Sequence, residues 1–275
     1  MSEPEARDEH GTTASVKGLL MRLYRDPRYL MIGTVERHGR QRIAFIESCT
    51  VFSAAGEMEG QLLLNREYSR RGRPDGERPH ECESLLDHYL SVEAPGSLQL
   101  DEDDIVALRE ESWQYYVRRN FAIQLGDYGL ARDDAEHNLG IWNLVEQSQA
   151  SEEAKWSYLK WWPWIERDRA VAQALLDLRD GEAEHAAAGL YRARHSILQY
   201  GRRYADQYAQ EEGDSQSICS AMEQHINALV EALRREENLP VSLEEQLDQA
   251  AARGDEGEAQ RLRAELIRRA MDTER

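Results

Sequence analysis

The sequence predicts a mainly α protein: a small α+β module first, then a bundle of helical hairpins, then a separate hairpin at the C-terminal end. Three observations carry that expectation. Strand-like stretches occur only between residues 29 and 68. Beyond "EAPGS" (93–97) apolar residues recur every three or four positions, the period of a helix with one buried face. Gly-Asp pairs at 126–127, 180–181 (as Asp-Gly) and 254–255 punctuate that helical stretch as turns.

The first residues, "MSEPEARDEHGTTA", are acidic and polar and read as a disordered tail over 1–14. They lack the basic and apolar regions of a signal peptide. Next, "SVKGLLMRLYRD" places Val16, Leu19, Leu20 and Leu23 on one helical face, closed by Pro27. "YLMIGTV" (29–35) and "QRIAFIES" (41–48) flank Gly39 as a hairpin, and "QLLLNREY" (61–68) supplies a third strand. Such a sheet needs a cover for its apolar face. The expected cover is the helix in "HECESLLDHYLS", with Leu85, Leu86, Tyr89 and Leu90 at helical spacing. Residues 15–95 therefore form the expected α+β module.

From 98 to 237 the expectation is a helical bundle. "DEDD" (101–104) opens its first helix, and acids there cap the helix and offset its macrodipole. Ala131, Ala135, Leu139, Trp142 and Val145 line the next helix. Ser151 caps another, and Pro163 either kinks it or starts its successor. Trp164, Val171, Leu175 and Leu178 then share a stripe with Asp168, a carboxylate that is buried with a partner or open to a groove. Ala186, Leu190, Ala193, Ile197, Tyr200 and Tyr204 follow, then Ile218, Met222, Ile226, Leu229 and Leu233, before Pro240 breaks the chain. The turn "LGDYGLARDDAEHNL" resembles the inter-helix turn of tetratricopeptide repeats, although no 34-residue period is present.

The last segment, 241–272, is a hairpin. Ser242 and Glu245 have capping-box spacing, and Gly254-Asp255 is the pivot. Leu243, Leu247, Ala250 and Ala251 form one apolar side; Ala259, Leu262, Leu266 and Ala270 form the other. Residues 242–267 resemble the UVR motif, the helical hairpin that closes the bacterial excision-repair subunits UvrB and UvrC. The same motif occurs in McsA-type kinase activators and some Clp-protease adaptors. Leu243, Leu247, Ala250, Asp255, Ala259, Leu262, Arg263 and Leu266 carry the likeness. Glu256 replaces the aromatic that usually follows the turn aspartate, and Ala264 replaces the acid that usually follows the Leu-Arg pair. The segment "GRPDGERPHECESLLDHY" (72–89) resembles a stretch of bacterial proteins that end in a UVR motif. It implies no helicase activity, since no "GxxxxGK[ST]" phosphate loop is present.

Composition bounds the function. The chain has 275 residues, 41% of them hydrophobic, with six Trp and twelve Tyr, enough for folded cores. Its longest apolar runs are too short for a membrane span. Three cysteines (Cys49, Cys82, Cys219) suit a reducing compartment, and the expected location is cytoplasmic. A formal net charge of -18 repels phosphate backbones, so protein is the expected partner ahead of nucleic acid. His80, Cys82 and His88 lack the paired spacing of a zinc site, and no Ser/His/Asp or Cys/His constellation suggests catalysis. No enzyme activity, cofactor or metal is expected. "WWPW" (161–164) reads as packing ahead of an aromatic clamp.

The expected function is that of a protein–protein interaction adaptor or scaffold. Its partner-binding residues would be Leu243, Leu247, Ala251, Ala259, Leu262, Arg263 and Leu266, engaging a protein partner or a second copy. The UVR resemblance implies DNA excision repair or protein quality control as the client process. The rival is a nucleic-acid-binding repair accessory using the basic island Arg66, Arg70, Arg71, Arg73 and Arg78 as phosphate contacts.

Overall fold

The computed structural model describes residues 15–25, 28–37, 40–52, 58–70, 72–75, 82–92, 98–210 and 216–273. The expected tail (1–14), the 93–97 connection, His80, Arg71 and Arg78 lie outside the described residues.

Helix α1 (Val16–Leu23) precedes a three-stranded antiparallel sheet, β1 (Tyr29–Arg37), β2 (Arg40–Phe52) and β3 (Met58–Ser69), in the order β1-β2-β3. The three expected strands are thus present, each longer than its apolar segment. On the central strand Ile43 and Phe45, two residues apart, project to one face and are buried. Their cover is not the helix expected from 80–91. That segment forms α2 (Leu85–Val92), which packs on α3 (Glu102–Gln124) and α4 (Tyr128–Gln147).

The sheet is covered instead by α3, through Val117 and Phe121, with the Phe45 and Phe121 rings 4.5 Å apart. The reason lies in the two helices' reach. Helix α2 has two turns and, among its residues, Leu86 is the buried one. Helix α3 runs for about 35 Å at 1.5 Å per residue and carries apolar residues around most of its circumference. It meets the sheet with Val117 and Phe121 and the helical core with Ile105, Leu108 and Ile123.

Beyond α4 come α5 (Glu152–Leu159), α6 (Trp162–Arg179), α7 (Ala183–Arg203), α8 (Ala205–Gln210) and α9 (Gln216–Glu237). Helix α3 packs on α4, α4 on α6, α6 on α7 and α7 on α9. The punctuation read from sequence is where expected. Asp101 and Asp104 form a reciprocal capping box, Ser151 caps α5, and Pro163 sits in the first turn of α6. Gly126 and Gly181 take positive φ (77° and 84°) at their turns, a backbone that favours glycine. Leu19, Tyr24 and Leu86 belong to the same core as residues Leu98 to Leu233. Helices α1 and α2, placed by sequence in the 15–95 module, therefore share the core of the 98–237 body.

Candidate functional site

The terminal hairpin, α10 (Leu243–Ala252) and α11 (Glu256–Thr273), has a core of its own. Ala250, Ala259 and Leu262 are buried between its helices, flanked by Leu243 and Leu247. Alanines at 250 and 259 let the helices approach closely, so a single Leu fills the seam. Four of the expected contact residues, Leu243, Leu247, Ala259 and Leu262, therefore face inward and bind the hairpin to itself. Ala251 and Arg263 are exposed and Leu266 is half-buried. Sequence reasoning missed the outward apolar pair: Ile267 and Met271 are 62% and 60% exposed, one turn apart on α11. Their i, i+4 spacing was visible, but they lie on a different side from Leu262 and Leu266.

Polar contacts join the hairpin to the body. The Tyr191 hydroxyl donates to Asp248 at 2.6 Å, Arg192 pairs with Glu244 at 3.3 Å, and Arg234 pairs with Glu245. Ser242 caps α10 by accepting the Glu245 N–H at 3.3 Å. The Glu245 carboxylate is engaged by Arg234, so the capping-box spacing is used through its Ser242 arm.

The described members of the basic island are dispersed among carboxylates of the chain. Arg66 pairs with Glu47 at 2.5 Å, Arg70 with Asp127, and Arg73 with Asp75 at 3.1 Å. Arg73 also lies 3.7 Å from Glu111. Burial alone would raise the Glu111 carboxyl; hydrogen bonds from His137 and the Leu85 N–H, with Arg73 nearby, bring it below the usual carboxylate range. Arg70 ties the β3 end to the α3–α4 turn, and Glu111 of α3 holds Arg73 and the start of α2.

A second site was not legible in the sequence. A cavity of about 1140 Å³ opens between α3 and the α5–α6 junction. Helix α3 contributes Arg109, Ser112, Trp113, Tyr116 and Arg119, positions three and four apart that share one side. Asn138 comes from α4, Tyr158 from α5, and Lys160, Trp161 and Trp164 from the junction and α6. Among the described residues of the basic island, Arg66 is the one that lines it. Trp161 is partly exposed at this cavity, whereas Trp162 stacks on Tyr200 with ring centroids 4.6 Å apart. The aromatic run thus divides between packing and cavity wall.

Beneath the cavity lies a buried ionic network. Asp168 accepts from Arg119 Nε at 2.9 Å, from Arg167 Nη2 at 2.6 Å and from the Tyr24 hydroxyl at 2.9 Å. The buried-with-a-partner alternative for Asp168 is the observed one. Burial would raise its carboxyl, but Arg167 and Arg119 hold it below the ordinary carboxylate range.

Among the described residues no group of three His, Cys, Asp or Glu is placed to hold a metal ion. No described helix is long and apolar enough to cross a membrane. Fold and sites together define a mainly helical protein with a small antiparallel sheet, an aromatic-walled cavity and a self-cored terminal hairpin. Comparison with family models, curated proteins and solved structures finds no match to this chain.

Proposed function

We propose that the chain is a protein–protein interaction adaptor in which a TPR-like helical body carries a UVR-like hairpin as its docking arm. The observation behind this reading is the exposed Ile267–Met271 pair on α11, on an arm whose own core is already closed. Apolar side chains left outside a satisfied core retain area to bury against something else. The occupant is a helix of a partner protein whose apolar face is flanked by acidic residues. Arg263, one turn before Ile267, would meet those acids. The UVR resemblance directs the search to excision repair and protein quality control. The nucleic-acid reading has less support, because Arg70 and Arg73 pair with carboxylates of the chain itself.

The test uses the full chain and an Ile267→Glu/Met271→Glu variant. Proteins recovered with the wild-type chain are purified and titrated against both. Direct binding that the variant loses, with unchanged thermal stability, supports the arm. Equal binding by both chains overturns it. A purified chain that sediments as a dimer, and becomes monomeric in the variant, makes the occupant a second copy and overturns the partner-helix reading.

A further inference from the structure

We infer that the cavity between α3 and the α5–α6 junction binds a small planar aromatic anion, its carboxylate or phosphate seated on Arg119. This inference is independent of the docking arm.

The charge balance of the floor points there first. One carboxylate, Asp168, serves two buried guanidiniums, Arg119 and Arg167. A buried charge without a full counter-charge is costly, and an anion on the cavity side of Arg119 would balance it.

The hydrogen-bond inventory agrees. Arg119 Nε donates to Asp168 Oδ2 at 2.9 Å and Nη2 lies 2.8 Å from the same oxygen as an ion pair, yet neither Nη1 nor Nη2 has a hydrogen-bond partner although the residue is fully buried. Its sequence neighbour shows what a purely structural arginine does here. Arg118 places Nε and Nη2 on Asp134 and Nη1 on the Ser69 and Gly72 carbonyls. Arg119 therefore keeps one end of its fork for something in the cavity that it lines. A planar fork suits a carboxylate or phosphate. Asn138 adds a second orphan: its Nδ2 donates to the Ser112 carbonyl, but its buried Oδ1 has no partner. That oxygen accepts an N–H or O–H from the ligand.

The walls select an aromatic body. Trp113 and Trp161 are 48% and 39% exposed at the cavity, and Tyr116 and Trp164 also line it. Ring stacking on such surfaces tolerates many planar systems. Arg109 and Lys160 add positive charge to the lining, where Glu110 is the one acid among the described residues and Arg66 is already paired with Glu47, in a chain of net charge -18. A cleft of one sign within a protein of the other attracts anions. The volume holds a ring system with a charged substituent. A nucleic-acid strand fits less well, because a mid-chain phosphate is substituted on both sides and cannot seat end-on against a buried guanidinium.

Calorimetric titration of the full chain with adenosine monophosphate and with indole-3-acetate tests this and separates phosphate from carboxylate. Adenosine, indole and inorganic phosphate are the controls. We expect saturable binding of at least one aromatic anion, with its neutral ring and the bare anion each weaker by about tenfold or more, the worth of one charge-assisted contact. Trp113→Ala, at an exposed position, should weaken binding about fivefold or more without loss of stability. Arg119→Lys, which keeps the charge but loses the fork, should weaken it by at least about tenfold. Three results would overturn the inference. In one, neither aromatic anion saturates at millimolar concentration. In another, neutral and anionic rings bind equally, or Trp113→Ala binds like the wild type. In the third, a single-stranded oligonucleotide binds and adenosine monophosphate does not displace it.

Discussion

Arg119 of α3 and Asp168 of α6 meet in the interior with both side chains fully buried, Nε 2.9 Å from Oδ2. The contact joins two helices through residues 49 apart in sequence. Arg167 and Tyr24 converge on the same carboxylate, so α1 is held at that point as well. Replacing Asp168 by Asn keeps the shape but removes the carboxylate charge that pairs with both guanidiniums. The expected cost is about 3–5 kcal/mol, typical of breaking a buried ion pair by deleting one partner. Urea unfolding at neutral pH measures it, and a cost under about 1 kcal/mol, the range of an exposed ion pair, would show that the network carries little.

Asp168 and Glu111 should also shape acid stability. Both carboxyls are held below their ordinary range in the folded chain. Each therefore contributes stability that is fully present above the unfolded pKa, about 4, and is lost as pH falls through the lower folded value. Stability should fall steeply below about pH 4. Thermal melts across this range give the slope, which should be shallower in Glu111→Gln than in wild type.

Leu262→Ala should unfold the hairpin and leave the body intact. Its side chain packs between α10 and α11, so truncation should cost about 2–5 kcal/mol locally. Hydrogen exchange would show lost protection over 243–273 with α3 to α7 unchanged. Ile267→Glu, on the exposed side, should change exchange little.

Gly181→Ala isolates a backbone effect. Its φ is 84° and nothing lies within 4 Å of where a Cβ would stand, so packing contributes nothing to the change. The left-handed conformation should cost about 1 kcal/mol, and Gly181→Asn less. Equal stability of wild type and Gly181→Ala, by urea midpoint, would contradict the turn geometry.

Local features were legible in the sequence because each rests on chemistry within a few residues. The three strands, the Asp101 and Ser151 caps, and the turns at Gly126, Gly181 and Gly254 follow from alternation, side-chain capping and backbone freedom, whereas for Pro163 the sequence left a kink and a helix start equally open. What the tertiary structure alone decided are the pairings across distance. Which helix covers Ile43 and Phe45 depended on the spare apolar circumference of α3, which a one-stripe reading of that helix conceals. Whether Leu262 faces a partner or its own hairpin depended on how closely Ala250 and Ala259 let two helices approach. The cavity left no local mark, since Arg119, Asn138, Tyr158 and Trp161 come from separate segments and acquire a common purpose only when packed. An arginine with one end of its fork unspent looks, in sequence, the same as the fully engaged arginine beside it.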